Sequence, residues 1–131
     1  MFWYELFNFS GSAIGIPVND FDYITELVKN RGGLVIADEV QSGYGRTGVW
    51  WGYDKLGFRP DISVMGKPMG NGLPLSATVT RKEFIDKFRA RKDYFNTTAA
   101  TPLQAAVGMA VIDEIERMGL VDNAAKVGGY L

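Results

Sequence analysis

The chain has 131 residues, 47% of them hydrophobic, which is enough for one domain with a buried core. Its 14 Lys and Arg against 15 Asp and Glu leave a formal net charge of −1, so neither a nucleic acid nor an anionic membrane is an expected partner, and no apolar run reaches the length of a membrane span. The absence of His and Cys excludes a disulfide framework, a Ser-His-Asp triad and an ordinary zinc site, and favours a reducing, cytoplasmic location; no metal is expected.

The first part of the chain predicts a strand, a loop and a helix. Residues 1–7 are rich in aromatic side chains, which favours a strand. Glycines and a proline over residues 10–17 predict a loop. Asn19 or Asp20 is placed to cap a helix with apolar residues at helical spacing, and Gly32 is placed to end it. This order of elements is typical of an α/β domain.

A buried strand is predicted over residues 34–40. The run is apolar except for Asp38 and Glu39, and it is too short for a typical helix, so it fits a strand covered on both faces. Because side chains alternate along a strand, Val40 shares the face of Asp38 and Glu39 points away. The strand therefore presents a carboxylate near its carboxyl end.

A literal GxGxxG pattern spans residues 43–48, just after this strand. Alone it suggests a dinucleotide site, in which the glycines precede a helix that binds the pyrophosphate. Here Asp38 and Glu39 would repel a pyrophosphate, and the Val-Trp-Trp-Gly of residues 49–52 is a poor helix start. A structural turn is the favoured interpretation, and a dinucleotide site is the alternative.

A second strand is predicted over residues 62–65. Pro60 pushes the preceding residue out of the helical region, and Gly66 and Lys67 follow the run at once. In open α/β sheets, ligands bind at the carboxyl ends of the strands. Asp38 and Lys67 are therefore expected at the same edge of one sheet.

The rest of the chain predicts one more strand, two helices and the start of a further short helix within residues 121–131. Residues 75–79 favour a strand, and Thr80 is placed to cap a helix over about residues 81–90. Thr101 caps a stronger helix with Pro102 at its first position. The apolar stripe of this helix consists of Leu103, Val107, Ala110, Val111, Ile115 and Met118. The whole pattern predicts an α/β fold with a mostly parallel sheet and flanking helices.

The lysine and the carboxylate at the two strand ends suit one cofactor. A lysine amine forms a Schiff base with an aldehyde, and pyridoxal phosphate is the well-known case, in which an Asp holds the proton on the ring nitrogen. Val40 is placed to lie against such a ring, and Gln41 to donate or accept a hydrogen bond at a ring substituent. The alternative is a solvated Lys67 and an Asp38 that caps a turn.

A phosphate group has one candidate site, at residues 96–98. Asn96, Thr97 and Thr98 precede the helix that Thr101 caps, and hydroxyls with backbone amides near a helix start suit a phosphate. Simple capping by Thr101, with the other residues in a loop, is the alternative.

Three motifs carry a resemblance to a known family. Residues 37–48 (ADEVQSGYGRTG), 60–72 (PDISVMGKPMGNG) and 94–97 (YFNT) closely resemble the class III pyridoxal-phosphate-dependent aminotransferases of fold type I. The MGKPMGNG form looks most like the branch that holds alanine-glyoxylate aminotransferases and phospho-amine lyases. The motifs occur in the family's order and at compatible spacing, and the resemblance covers nearly the whole chain.

The resemblance implies a role for each candidate residue. Lys67 would be the Schiff-base lysine and the base that moves a proton, and Asp38 the partner of the ring nitrogen. Val40 would lie against the ring, and Gln41 near its 3-hydroxyl. Thr97 would bind the phosphate of the neighbouring subunit's cofactor, which implies a homodimer or a higher homo-oligomer.

The resemblance also implies an activity, and it indicates which part of the family's structure the chain covers. It implies a transaminase that passes an amino group from an amino acid or amine to a 2-oxo acid. Residues 1–131 would form a single partial domain, the central part of the large domain, without the N-terminal phosphate cup and the C-terminal small domain. A phospho-amine lyase, or an incomplete fragment that only folds or associates, are the alternatives. The family's aromatic-Gly-Gly-Asn-Pro is replaced by residues 98–102, Thr-Ala-Ala-Thr-Pro, so local substrate contacts are expected to differ.

Overall fold

The computed structural model describes residues 2–5 and 18–130. The strands are β1 (Phe2–Glu5), β2 (Val35–Asp38), β3 (Ile62–Met65) and β4 (Ala77–Thr80). The helices are α1 (Val18–Asn30), α2 (Gly52–Lys55), α3 (Lys82–Arg89), α4 (Pro102–Arg117) and α5 (Leu120–Gly128), with a 3₁₀ helix at Lys67–Gly70. The predicted loop at residues 10–17 lies outside the described residues. None of the helices in the described ranges is long and apolar enough to cross a bilayer.

The four strands form one sheet in the order β1-β2-β3-β4. The first three strands are parallel, and β4 pairs antiparallel with β3. The prediction of a mostly parallel sheet with flanking helices is therefore confirmed. Val35, Ile36 and Ala37 are all buried, as expected for a strand covered on both faces.

Two apolar clusters hold the helices against this sheet. In the first, Phe21 of α1 packs with Val35, Ala37 and Phe58, and the rings of Phe21 and Phe58 stack with centroids 5.6 Å apart. The second joins Tyr44, Met65 and Ile115, and so ties the loop after β2 to β3 and α4. The loop that follows the predicted catalytic carboxylate is thus part of the core.

The structure confirms the predicted N-cap of α4 and contradicts those of α1 and α3. Thr101 caps α4 as expected: its hydroxyl accepts from the N–H of Gln104 at 3.3 Å, and its own N–H donates to Gln104 Oε1 at 2.9 Å. Asn19 lies inside α1, which already begins at Val18. Thr80 ends β4 and donates its hydroxyl to a carbonyl of the sheet, so Arg81 is the N-cap of α3.

The predicted apolar stripe of α4 is wrong at its two ends and at Ala110, which is exposed. Ile115 is buried and Val111 half-buried, whereas Leu103 and Met118 are 64% and 53% exposed. Within the described residues, α4 packs mainly on the 3₁₀ helix and α5, and this face is narrower than the apolar pattern. An apolar residue at helical spacing thus need not be covered by the described part of the chain.

Candidate functional site

Asp38 and Lys67 lie at the same edge of the sheet, at the ends of adjacent parallel strands. Asp38 is the last residue of β2 and pairs in register with Val64, three positions before Lys67. Glu5, at the end of β1, pairs with Asp38 on the other side. The parallel register therefore brings three charged residues of the sequence to neighbouring strand ends, as the strand assignment predicts for two of them.

Val40 lies in a turn, because β2 ends two residues before it. Strand alternation therefore does not set its direction, and the predicted strand is too long at this end. Its N–H donates to Asp38 Oδ1 at 3.1 Å, and a Cβ built on Gly66 would lie 3.3 Å from Val40 Cγ1. Val40 thus packs on the backbone just before Lys67. Gln41 follows it and is half-buried.

Lys67 opens the 3₁₀ helix and is exposed at a cavity of about 600 Å³. The opposite wall of this cavity comes from the loop before α4, and it includes Asn96, Thr98 and Ala100. Lys67 also lines a second cavity, of about 410 Å³, which includes Tyr44. The lysine is therefore open to molecules from outside the chain, beside the loop that carries the phosphate candidates.

Thr97 and Thr98 differ in their surroundings. Asn96 Oδ1 accepts from both the N–H and the hydroxyl of Thr98, at 3.0 and 2.9 Å, which forms an Asx turn. Thr97 is exposed, and Thr98 rather than Thr97 lines the cavity of Lys67. After them, Ala100 has φ +56°, in the left-handed region that favours glycine. The structure thus places Thr97 on the outside of a tightly turned loop.

Two of the three glycines in residues 43–48, Gly45 and Gly48, pack against α5. A Cβ at Gly45, where φ is +84°, would lie 2.9 Å from Val121 Cγ2. A Cβ at Gly48, where φ is +83°, would lie 2.8 Å from Cα of Ala125. The next helix, α2, has only four residues, so the loop lacks the helix N-terminus that a pyrophosphate needs. These glycines form a structural turn, and the dinucleotide alternative fails.

Glu39 has a position in the site that the sequence interpretation missed. The residue is 2% exposed, and its carboxylate accepts from the Ser42 hydroxyl at 2.6 Å and from the N–H groups of Gly52 and Tyr53, both at 2.9 Å. Charge-assisted hydrogen bonds of this kind are stronger than neutral ones. The sequence feature that could have indicated this buried carboxylate is an acidic residue at the end of a buried strand, followed three residues later by a serine.

Two tyrosines, one in the loop after β2 and one in α2, have raised pKa values. Burial raises the pKa of the Tyr44 hydroxyl above its ordinary value of about 10. Burial also raises the pKa of Tyr53, with further increases from the charges of Asp54 and Glu39 and an opposing effect of Arg59. Both hydroxyls therefore stay protonated at neutral pH. Among the residues that the structure describes, no group of three or more Asp or Glu could hold a metal ion.

Comparison with known proteins places the chain among enzymes. The family model described as aminotransferase class-III matches residues 12–131. The chain is 48% identical over 106 residues to "alanine--glyoxylate aminotransferase 2 homolog 2, mitochondrial" of Arabidopsis thaliana, a match that covers 81% of the chain and 22% of that protein. It is 40% identical over 124 residues to "ethanolamine-phosphate phospho-lyase homolog 1" of Caenorhabditis elegans, with 92% and 27% covered. The chain thus spans about a quarter of the length of these relatives.

Solved structures of related proteins also superpose on most of this chain. A phospholyase from Arthrobacter in complex with phosphoethanolamine superposes with a TM-score of 0.84 and 41% identity, over 90% of this chain and 28% of that one. An S-selective transaminase from Arthrobacter sp. with alanine bound superposes with a TM-score of 0.87 and 34% identity, over 98% and 28%. The backbone of the described residues is thus that of one part of these larger chains.

Proposed function

Because the chain belongs to the class III aminotransferase family, we propose that it forms the cofactor-binding part of a transaminase, in which Lys67 is the catalytic lysine. The fold is that of the fold type I enzymes in this family, and the family's cofactor is pyridoxal 5′-phosphate. The transaminase would pass an amino group from an amino acid or amine to a 2-oxo acid. The observation that carries the proposal is the register that sets Asp38 and Lys67 on adjacent strand ends.

The residues at this edge fit the chemistry of the cofactor. Lys67 supplies an amine beside a cavity of about 600 Å³, and Asp38 supplies a half-buried carboxylate on the adjacent strand. Val40 supplies an apolar surface between them, packed on Gly66. When bound, pyridoxal phosphate supplies an electron sink for the carbanion at the substrate Cα. An amine, a carboxylate and an apolar support are the groups that this sink requires from the protein.

Each residue has a distinct task in the proposal. The Lys67 amine takes up the proton of the substrate Cα, since an amine in the cavity is within reach of that carbon. The Asp38 carboxylate holds a proton on the ring nitrogen by its negative charge. Val40 supports the ring face and excludes water from it, and Gln41 hydrogen-bonds the 3-hydroxyl. These roles rest on the family's motifs and on the positions described above.

Thr97 is proposed to act in a second subunit. It is exposed on a loop fixed by the Asx turn of Asn96 and by the capping box of Thr101. An exposed threonine on such a loop suits a phosphate held by another chain, and this supports the proposal of a homodimer or a higher homo-oligomer. Residues 1–131 are proposed as one partial domain, the central part of the large domain. The cytoplasmic location stays a prediction, and the Arabidopsis relative is named as mitochondrial.

A phospho-amine lyase is the second candidate. Two relatives favour it: the Caenorhabditis phospho-lyase homolog and the Arthrobacter phospholyase, at 40% and 41% identity. Lys67 and Asp38 would keep their tasks, since both reactions begin with removal of a proton from the substrate. A chain that binds the cofactor without turnover is the third outcome, consistent with the quarter of its relatives' length that it spans.

The proposal is tested by attachment of the cofactor. After addition of pyridoxal phosphate, borohydride reduction is expected to fix a pyridoxyl group on Lys67, detected by its mass on the tryptic peptide. Lys67→Ala should lose this product, and Lys87→Ala, which removes a lysine of α3, should keep it. Labelling of other lysines without Lys67 would contradict the proposal. Alanine with glyoxylate, and phosphoethanolamine with detection of free phosphate, then separate transaminase from lyase.

A further inference from the structure

Glu39 lies within the short segment whose other residues are proposed to contact the cofactor ring, including the two that form polar contacts with it. Asp38 precedes it, and Gln41 follows two positions later. Its N–H donates to the carbonyl of Val64 in β3 at 2.8 Å, and its own carbonyl accepts from the N–H of Gly43 at 3.0 Å. With the three bonds to its carboxylate, every polar group of Glu39 is engaged.

The hydrogen bonds of Glu39 run to three different parts of the site. Its N–H continues the ladder to β3, three residues before Lys67, while Ser42 belongs to the loop and Gly52 begins α2. Removing a carboxylate from water is costly unless several donors surround it, and here three do so. A buried apolar side chain would fill the same space without fixing any direction. The hydrogen bonds of Glu39 therefore fix the orientation of the surrounding backbone, while its side chain fills the buried space.

We infer that Glu39 is a positioning residue, which fixes the directions in which Asp38 and Gln41 face the cofactor ring. This inference rests on the proposed function. Catalytic groups must be held to within about 0.5 Å of the productive geometry by neighbours whose own positions are locked. Asp38 and Gln41 are each attached to backbone that Glu39 and Ser42 hold, and both of these are at most 2% exposed.

Glu39→Gln tests the inference with almost no change in side-chain volume. One carboxylate oxygen accepts from Ser42 and Gly52, and the other from Tyr53. In either orientation of the amide, its NH₂ group faces a backbone N–H of Gly52 or Tyr53, so one donor loses its acceptor. The backbone that carries Asp38 and Gln41 should then shift.

The expected result has two readouts in the purified, cofactor-loaded protein. The pH midpoint of the bound cofactor's absorbance should move by at least ~0.5 pH unit, because Asp38 no longer holds the same place near the ring nitrogen. The rate of amino transfer from alanine should fall by ~10- to 100-fold, as for small misplacements of reacting groups. The cofactor should still be fixed on Lys67. Glu83→Gln, which changes an exposed carboxylate of α3, should match the wild type in both readouts.

Ser42→Ala serves as the second variant, because it removes one donor and keeps the charge. It should move both readouts in the same direction by a smaller factor, and its effect should not add to that of Glu39→Gln. Wild-type readouts in both variants, or in Ser42→Ala alone if Glu39→Gln does not fold, would overturn the inference and leave Glu39 with a purely structural role. Failure of the wild type to attach the cofactor at Lys67 overturns the proposed function, and the inference with it.

Discussion

Ala100→Gly is expected to stabilise the chain, although most substitutions destabilise proteins. Ala100 has φ +56° in the loop that faces Lys67, a backbone conformation that a residue with a Cβ adopts at a cost. A non-glycine residue in the left-handed region costs about 1–2 kcal/mol, and glycine adds about 0.5–1 kcal/mol of chain entropy to the unfolded state. The net gain in the free energy of unfolding is therefore about 0.5–1 kcal/mol.

Ala99→Gly is the matched control for this prediction. Ala99 is also exposed in the same loop, but it is not among the described residues with positive φ. Here glycine brings only its entropic cost, so the free energy of unfolding should fall by about 0.5–1 kcal/mol. The two variants should thus differ by about 1.5 kcal/mol, or roughly 5 °C in Tm for a chain of this size.

Urea unfolding, followed by the fluorescence of Trp50 and Trp51, measures this difference. Both tryptophans are half-buried beside Tyr44 in the second apolar cluster, so their emission should report loss of the core. The midpoint should rise for Ala100→Gly and fall for Ala99→Gly, with the slope unchanged. Equal destabilisation by both substitutions would refute the reasoning, since it would show that the left-handed conformation carries no strain.

Two further predictions concern the glycine loop. Gly48→Ala should lower the free energy of unfolding by about 2–4 kcal/mol, because φ is +83° and the new Cβ would lie 2.8 Å from Ala125. Gly57→Ala, where φ is +75° and the new Cβ meets open space, should lower it by only about 1–2 kcal/mol. Equal losses in urea unfolding would contradict the packing argument. Because the pKa of Tyr44 is raised in the folded state, this hydroxyl ionises at a lower pH in the unfolded chain. The stability that Tyr44 contributes is therefore present below pH ~10 and is lost as the pH rises through the folded-state pKa. Tyr44→Phe should therefore flatten the fall in stability above pH ~10, and an unchanged pH profile would exclude this contribution.

The parts of the site that the sequence predicted depend on strong local signals. The strand ends at Asp38 and Lys67 follow from short apolar runs interrupted by charge, and the parallel register then brings them together. The cap of α4 follows from Thr101 and Pro102 at adjacent positions. Signals of this kind lie within a few residues, so the rest of the fold does not override them.

The parts that the sequence did not predict depend on contacts between distant residues. Two of the three groups that donate to Glu39 are backbone N–H groups, 13 and 14 positions later, and such groups leave no mark in the sequence. The left-handed conformation of Ala100 depends on how the loop between α3 and α4 closes. The exposure of the two ends of the α4 stripe depends on which part of α4 the 3₁₀ helix and α5 cover.

The contact between the glycine loop and α5 has a consequence for the order of folding. Gly45 and Val121 are separated by more than half the length of the chain, yet they touch in the native structure. Contacts of such long sequence separation form late, because a large loop must close before they contribute. The turn after Asp38 should therefore reach its native shape only once α5 has been synthesised and docked. A nascent chain that ends before residue 120 would lack the contacts of Gly45 and Gly48 with α5.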